Sequence, residues 1–326
     1  MIQDGKEKSM TNIEKIQICQ EIVEQIQLES QRPVCRLKLS RESFTITDSH
    51  LGGVPYIPHG GEIPVDRNGN QLWLCAQINF AQMPHMDNFP ESGLLQIFLE
   101  DWHFGSFGLE ISDKIQDYWK VVYYPEIDET VTIEECQSKM VVPWEDAKRS
   151  NMPRPANKFD LQDIKEGDDS LWRCPNVPLK IIFQDVEQEG VNDEDFRFDT
   201  LFAAALKKRL PDADPEEFMP YHLPDNTSEE RDAQRKVLQQ IKNGGCKMGG
   251  YPNYVQDDPR LYDEGEEWAD CDTLLLQLYD DTYDYPQEDI GYMDLYLNGG
   301  PLNFIIREQD LKNRNFSRVL AQWACT

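Results

Sequence analysis

Positive charge is scarce in this 326-residue chain: 32 lysines and arginines stand against 60 aspartates and glutamates, with five histidines, for a formal net charge of −28. Such a molecule repels polyanions, which excludes DNA, RNA and anionic membrane surfaces as partners. A basic protein is drawn to it, fastest at low salt. No stretch approaches the ~20 apolar residues of a membrane-spanning helix. Residues 1–10 are polar and charged where a secretion signal would be apolar. The eight cysteines (Cys19, Cys35, Cys75, Cys136, Cys174, Cys246, Cys271 and Cys325) are irregularly spaced and form no Cys-x-x-Cys pair. They read as reduced thiols, and the expectation is a soluble, cytoplasmic protein. The chain also has no phosphate-binding Walker loop, no Gly-x-Gly-x-x-Gly, no His-Glu-x-x-His and no Gly-x-Ser-x-Gly. His85, His103 and His222 have no metal-ligand spacing. No cofactor or metal is expected, and whether the protein is an enzyme stays open.

What the chain does have is a short pattern that occurs twice. Leu51-Gly52-Gly53-Val54-Pro55 is followed by the apolar run Leu72-Trp73-Leu74-Cys75-Ala76-Gln77-Ile78, and Met248-Gly249-Gly250-Tyr251-Pro252 by Leu274-Leu275-Leu276-Gln277-Leu278. A third feature, Gly93-Leu94-Leu95-Gln96-Ile97-Phe98-Leu99, is matched by Gly300-Pro301-Leu302-Asn303-Phe304-Ile305-Ile306, with 291–297 as a rival alignment. The offset is 197 residues at the glycine pair, 200 at the glutamine and 207 at Gly93/Gly300. Adjacent glycines admit positive φ and the proline fixes the exit direction, so Gly-Gly-x-Pro is a shaped turn. Each following run is a buried strand. A glutamine inside such a strand must find hydrogen-bond partners. Gln77 and Gln277 either tie down the backbone of the neighbouring turn or present their amides to a ligand. The pattern predicts internal duplication: two related lobes, about 31–143 and 179–326, joined by a loop-rich connector over 144–178.

The remaining elements follow from periodicity. Thr11 and Glu14 form a capping box, and Ile13, Ile16, Cys19, Ile22, Val23 and Ile26 recur at helical spacing, so residues 1–30 hold an amphipathic helix packed on the body. Residues 35–39, 44–46, 119–124 and 179–183 read as strands, with 130–133 a further candidate. Helices are expected around Phe196–Leu210 and after a Thr227 cap, the latter ended by Gly244-Gly245. The expected fold class is α+β, internally duplicated, with largely antiparallel sheets and a few flanking helices.

Candidate chemistry is thin. Between Asp257 and Asp294 fourteen carboxylates face a single basic residue, Arg260. Asp280, Asp281 and Asp284 crowd together without the order of an EF-hand, and Tyr283, Tyr285 and Trp268 are interleaved with them. Aromatic rings among carboxylates suit a cationic protein surface. His50 and His59 flank the first glycine turn, and Cys75 paired with one of them would need an orienting third group that no spacing supplies.

Taken together, Leu51–Pro58, Leu74–Ile78, Pro90–Phe98, Gly249–Gln256, Leu274–Leu278 and Leu302–Val319 resemble the YwqG-like family of uncharacterised bacterial proteins, over most of the chain from residue 31. The resemblance implies an α+β fold with internal duplication and brings no established activity or catalytic residue. Tyr279, Asn298 and Ile63 depart from the residues common in that family. The reading that follows is a binding protein whose acidic, aromatic-rich face (Asp280, Asp281, Asp284, Tyr283, Tyr285, Trp268) holds a basic protein, for instance a cationic toxin domain to be neutralised. The alternative is an enzyme or small-ligand binder with a cleft between the lobes, using Gln77, Gln277, His50 and His59.

Overall fold

Thr11 opens the first helix as the pattern requires. Its hydroxyl accepts from the Glu14 amide and the Glu14 carboxylate accepts from the Thr11 amide. The helix α1 (Asn12–Glu29) then buries Ile16, Cys19, Ile22, Val23 and Ile26, the aliphatic side chains worth roughly 1.5–3 kcal/mol each relative to exposure. This computed structural model describes residues 10–40, 42–66, 69, 71–99, 119–141, 178–256, 258–261, 268–279 and 300–323. Among them the other helices are α2 (Ile133–Lys139), α3 (Phe198–Arg209), α4 (Ser228–Gln240) and the short α5 (Glu308–Lys312). The apolar stripe of α1 packs with Phe198, Phe202 and Leu206 of α3 and Val237 of α4, a helical layer with its own core.

Ten strands make one sheet: β1 (Arg32–Ser40), β2 (His50–Leu51), β3 (Trp73–Asn79), β4 (Leu94–Leu99), β5 (Trp119–Tyr124), β6 (Leu179–Glu189), β7 (Lys247–Gly249), β8 (Thr273–Tyr279), β9 (Pro301–Ile306) and β10 (Val319–Trp323). Their order is β10-β9-β8-β7-β1-β6-β2-β3-β4-β5, and every pairing between them is antiparallel. The first strand of each half crosses to the other half. β1 pairs with β7, β6 pairs with β2, and the long β1–β6 ladder from Arg32↔Glu189 to Ser40↔Lys180 lies between them. No cut through the sheet separates residues before 143 from those after 178.

The sheet curls until its edges meet. Trp119 Nε1 on β5 donates to the Val319 carbonyl on β10 at 3.0 Å, and the Tyr123 and Phe316 rings lie 5.2 Å apart. The enclosed space is filled by alternate side chains from both halves, among them Leu37, Ile78, Ile97, Leu276, Phe304 and Val319. The arrangement is thus a nearly closed barrel with a packed interior. Outside it, Tyr56, Trp73, Leu74 and Phe98 form one cluster and Tyr254, Trp268, Leu274 and Ile305 another.

Two expected strands are not strands. At 44–46, the Thr45 amide and hydroxyl both donate to the Asp48 carboxylate and close a turn. At 130–133, Thr132 caps α2 by accepting from the Glu135 amide; a Thr-x-x-Glu capping pattern outweighs the β-branched run. The expected connector lies, apart from Pro178, outside the described residues.

The glycine pairs adopt the conformation that selects them. Gly52, Gly53, Gly249 and Gly250 all have positive φ, between 60° and 79°. At Gly249 a Cβ would lie 2.5 Å from the Pro33 carbonyl oxygen. Gly249→Ala therefore carries both left-handed strain and a backbone clash, and is expected to cost about 3 kcal/mol or more. Gly60→Ala, with φ +72° and nothing within 4 Å, carries the strain alone, about 1–2 kcal/mol. Urea unfolding of the two variants separates the contributions; equal losses would show that the contact with β1 is not tight.

Candidate functional site

Ala76 and Ile78 belong to the barrel interior, so Gln77 between them faces outward. There it sits opposite His50 on β2 and Gln96 on β4. In the second half Lys247, Gln277, Asn303 and Gln322 stand in one row across β7, β8, β9 and β10. All seven side chains are buried, because the glycine turns and the segments after them lie over this face.

The glutamines fasten those segments. Gln77 Oε1 accepts from the Tyr56 amide at 3.0 Å, and its Nε2 donates to the carbonyls of Ile46 and Asp48 at 2.8 and 2.9 Å. Gln277 Oε1 accepts from the Asn253 amide at 2.8 Å, and its Nε2 donates to the Gly245 carbonyl at 2.8 Å and the Asn243 carbonyl at 3.4 Å. Gln96 Nε2 reaches the Tyr56 carbonyl and Asn303 Nδ2 the Asn253 carbonyl, at 2.8 and 2.7 Å. Of the two roles open to these amides in the sequence, the geometry displays the backbone tie.

The row differs between halves at its first position. His50 Nδ1 lies 2.7 Å from the Gly52 carbonyl, so it carries the proton, and the ring stacks on Phe44 at 4.6 Å. Burial pulls its pKa down to about 4, so the imidazole is neutral. Lys247 takes the equivalent place with a charge. Its Nζ donates to Glu189 Oε1 at 2.7 Å and the Asn243 carbonyl at 2.8 Å, while Arg36 Nη2 donates to Glu189 Oε2 at 3.2 Å. Burial draws the Lys247 ammonium down to about 8, against the pull of Glu189. Glu189 Oε1 also accepts from the Tyr251 amide at 2.8 Å.

His59 stands apart on the surface, half-exposed, with Nδ1 at Glu135 and Nε2 3.0 Å from the Thr130 hydroxyl. Cys75 packs in the interior while His50 faces outward, and burial pushes the thiol up; the sheet separates the two, and they do not form a nucleophile. The described free cysteines are all buried. Trp268 is 1% exposed, packed with Tyr254 and Cys271 and covered by the Arg318 guanidinium at 4.6 Å. Asp280, Asp281, Tyr283, Asp284 and Tyr285 lie outside the described residues. Of the fourteen acids, the three that are described are engaged by the chain itself. Asp258 pairs with Arg260, Asp270 with Arg307 and Arg318, and Asp272 accepts from the Glu308 amide.

The densest polar assembly was not read from the sequence. It joins the segment after β6, Asn192–Arg197, to the segment after the second glycine turn, Pro252–Arg260. Arg197 forks onto Asp195 through Nε at 2.7 Å and Nη2 at 2.6 Å. Arg260 forks onto Asp258 in the same way, at 2.9 and 2.6 Å, and its Nη1 donates to the Cys271 carbonyl. Asp258 Oδ2 in turn accepts from the Phe196 amide at 3.2 Å. The guanidiniums stack on aromatic rings: Arg260 and Arg197 on Phe196 at 4.7 and 5.2 Å, and Arg32 and Arg197 on Tyr251 at 4.6 and 5.4 Å. Burial works to raise the Asp195 carboxyl, yet the hydrogen bonds and charges of Arg197 and Arg260 hold it below its usual range. The available signal was Asp-x-Arg, present as Asp195-Phe196-Arg197 and Asp258-Pro259-Arg260. It is short and common, and only the fold brings the copies together.

Residues 49–325, from the first glycine turn to the end of the second half, match the family model described as Domain of unknown function (DUF1963). The chain belongs to that family. No curated protein matches it. Within the described residues no group of three or more His, Cys, Asp or Glu side chains is placed to hold a metal ion, and no helix is long and apolar enough to cross a membrane.

Two measurements test these assignments. Arg260→Leu strands the Asp258 carboxylate in a dry site and is expected to cost about 3–5 kcal/mol, whereas the Asp258→Leu/Arg260→Leu double variant regains much of the loss; equal stability of single and double variants in urea would show that the two side chains are not coupled. For His50, the folded-state pKa lies below the unfolded value of 6.5, so its contribution is full above pH 6.5 and is lost as pH falls toward 4, about 3 kcal/mol in all. His50→Gln should flatten the stability curve in that window, and above pH 7 the slope of its curve should match that of the wild type.

Proposed function

We propose that this protein works by binding, holding a basic protein partner through the acidic, aromatic-rich segment 257–294 of its second half. The observation that carries the reading is the charge of the chain: the net charge is −28, and within the segment Asp258 and Asp270 are paired with arginines of the fold while Asp272 accepts from the Glu308 amide. The segment carries eleven further carboxylates, Asp280, Asp281 and Asp284 among them. Tyr283 and Tyr285 stand beside these three in sequence and supply rings for cationic side chains. The packed barrel interior and the backbone ties of Gln77 and Gln277 support binding at a surface over a pocket between halves.

The same reading takes the protein as a cytoplasmic, YwqG-like member of its family that arose by duplication. Three features support the duplication. The strand order is unchanged when β1–β5 are exchanged with β6–β10. The ladder irregularity at Leu74/Ala76 recurs at Leu274/Leu276. The amides held by Gln77 and Gln277, those of Tyr56 and Asn253, are 197 residues apart, as are the glycine pairs.

The test is capture of partners from native lysate at about 50 mM and about 500 mM salt, by the wild type and by an Asp280→Asn/Asp281→Asn/Asp284→Asn variant. A basic protein held at low salt, released at high salt and lost from the variant is the expected result. A partner held equally at both salts, or equally by the variant, would overturn the reading.

A further inference from the structure

The buried amides on the outer face of the sheet spend every hydrogen they have. Gln96 Nε2 donates to the Tyr56 carbonyl at 2.8 Å and to Gln77 Oε1 at 2.7 Å. Asn303 Nδ2 donates to the Asn253 carbonyl at 2.7 Å and to Gln322 Oε1 at 3.0 Å. Gln77 Nε2 and Gln277 Nε2 each serve two backbone carbonyls. Both partners of the Gln96 and Asn303 nitrogens are acceptors. Turning either amide over would set oxygen against oxygen, so the neighbours fix which end is which.

The oxygens of the same two amides have no such partners. Gln96 Oε1 and Asn303 Oδ1 accept no hydrogen bond from any described residue, and neither does Asn253 Oδ1. Gln96 and Asn303 are fully buried and Asn253 is 8% exposed. A buried acceptor left without a donor costs about 1–3 kcal/mol. The two halves share this shortage at equivalent places. Gln96 on β4 stands opposite Gln77, and Asn303 on β9 stands opposite Gln277. Each amide also holds the carbonyl of the residue fastened after the glycine turn, Tyr56 in one half and Asn253 in the other. Recurrence at matching positions points to a common occupant.

We propose that each half holds a buried water beneath its glycine turn: one donates to Gln96 Oε1 in the first half, and one donates to Asn303 Oδ1 and Asn253 Oδ1 in the second.

Water fits the shortage because only donors are wanted, and it brings two hydrogens without a charge. In the second half the two acceptors adjoin, since Asn303 Nδ2 bonds the Asn253 carbonyl, and one molecule serves both. In the first half the Tyr56 carbonyl, already bonded to Gln96 Nε2, keeps a second lone pair for the other hydrogen. The waters thus extend the fastening that the glutamines begin. They stand independently of the partner reading, since none of these residues belongs to the proposed binding segment.

A high-resolution crystal structure reads the sites directly. One water is expected about 2.8 Å from Gln96 Oε1, and one about 2.8 Å from both Asn303 Oδ1 and Asn253 Oδ1. In solution, NOE and ROE peaks of opposite sign between water and the side-chain amide hydrogens of Gln96 and Asn303 should mark both molecules as held. Gln96→Met keeps the length of the side chain and removes the acceptor. It should lose the first water and leave the Asn303 peaks unchanged. Density without a water at either oxygen, an Asn253 side chain that donates directly to Asn303 Oδ1, peaks in one half only, or a first water that persists in Gln96→Met would each overturn the proposal. The wild-type measurements decide it even where the variant fails to fold.

Discussion

Backbone laid flat on the outer face of a sheet is shut off from water on one side and must find its hydrogen bonds inside the protein. The two glycine turns of this chain lie in that position, and a buried glutamine in the strand beneath meets the need in each case. One amide side chain provides an acceptor for an amide after the turn and donors for the carbonyls before it. Leaving such groups unpaired costs about 1–3 kcal/mol apiece. The glycines follow from the same constraint: with positive φ and no Cβ, they bring the turn close enough to the sheet for the glutamine to reach it.

With the turns fixed, the exchange of first strands makes one body of the two halves. β1 and β6 pair with each other and each also carries the second strand of the opposite half. Neither half retains its neighbours without the other. Loss of the β1–β6 ladder would expose the interior cluster along the middle of the sheet, so cooperative unfolding of the barrel follows from the topology. The helical layer is tied in by Gln27 of α1, which donates to the Gln240 carbonyl of α4, and by Gly190, whose Cα packs so tightly on Gln27 that a Cβ would collide with it.

Local signals were legible in the sequence and long-range ones were not. The Thr11/Glu14 and Thr227/Glu230 boxes, the glycine turns and the strands carrying Gln77 and Gln277 are short patterns in which each residue answers to near neighbours. The same habit of reading misplaced a strand at 44–46, where the Asp48 side chain competes for the backbone, and at 130–133, where Thr132 acts as a cap. The strand exchange leaves no trace in periodicity, since β1 and β6 alternate the same way whichever neighbour they find. His50 and Lys247 were visible as residues but not as equivalents, because equivalence depends on strand register. The Asp–Arg forks show the limit most clearly: two Asp-x-Arg triplets more than sixty residues apart become a single network only after the sheet places one segment on the other.

The central claim is that the glutamines hold the turns. The most direct measurement is amide hydrogen exchange at Tyr56 and Asn253, resolved residue by residue by NMR. If their amides donate to Gln77 and Gln277, both should exchange as slowly as the ladder amides of β3 and β8, although neither belongs to a strand. Exchange at the rate of an open loop in either residue would contradict the account.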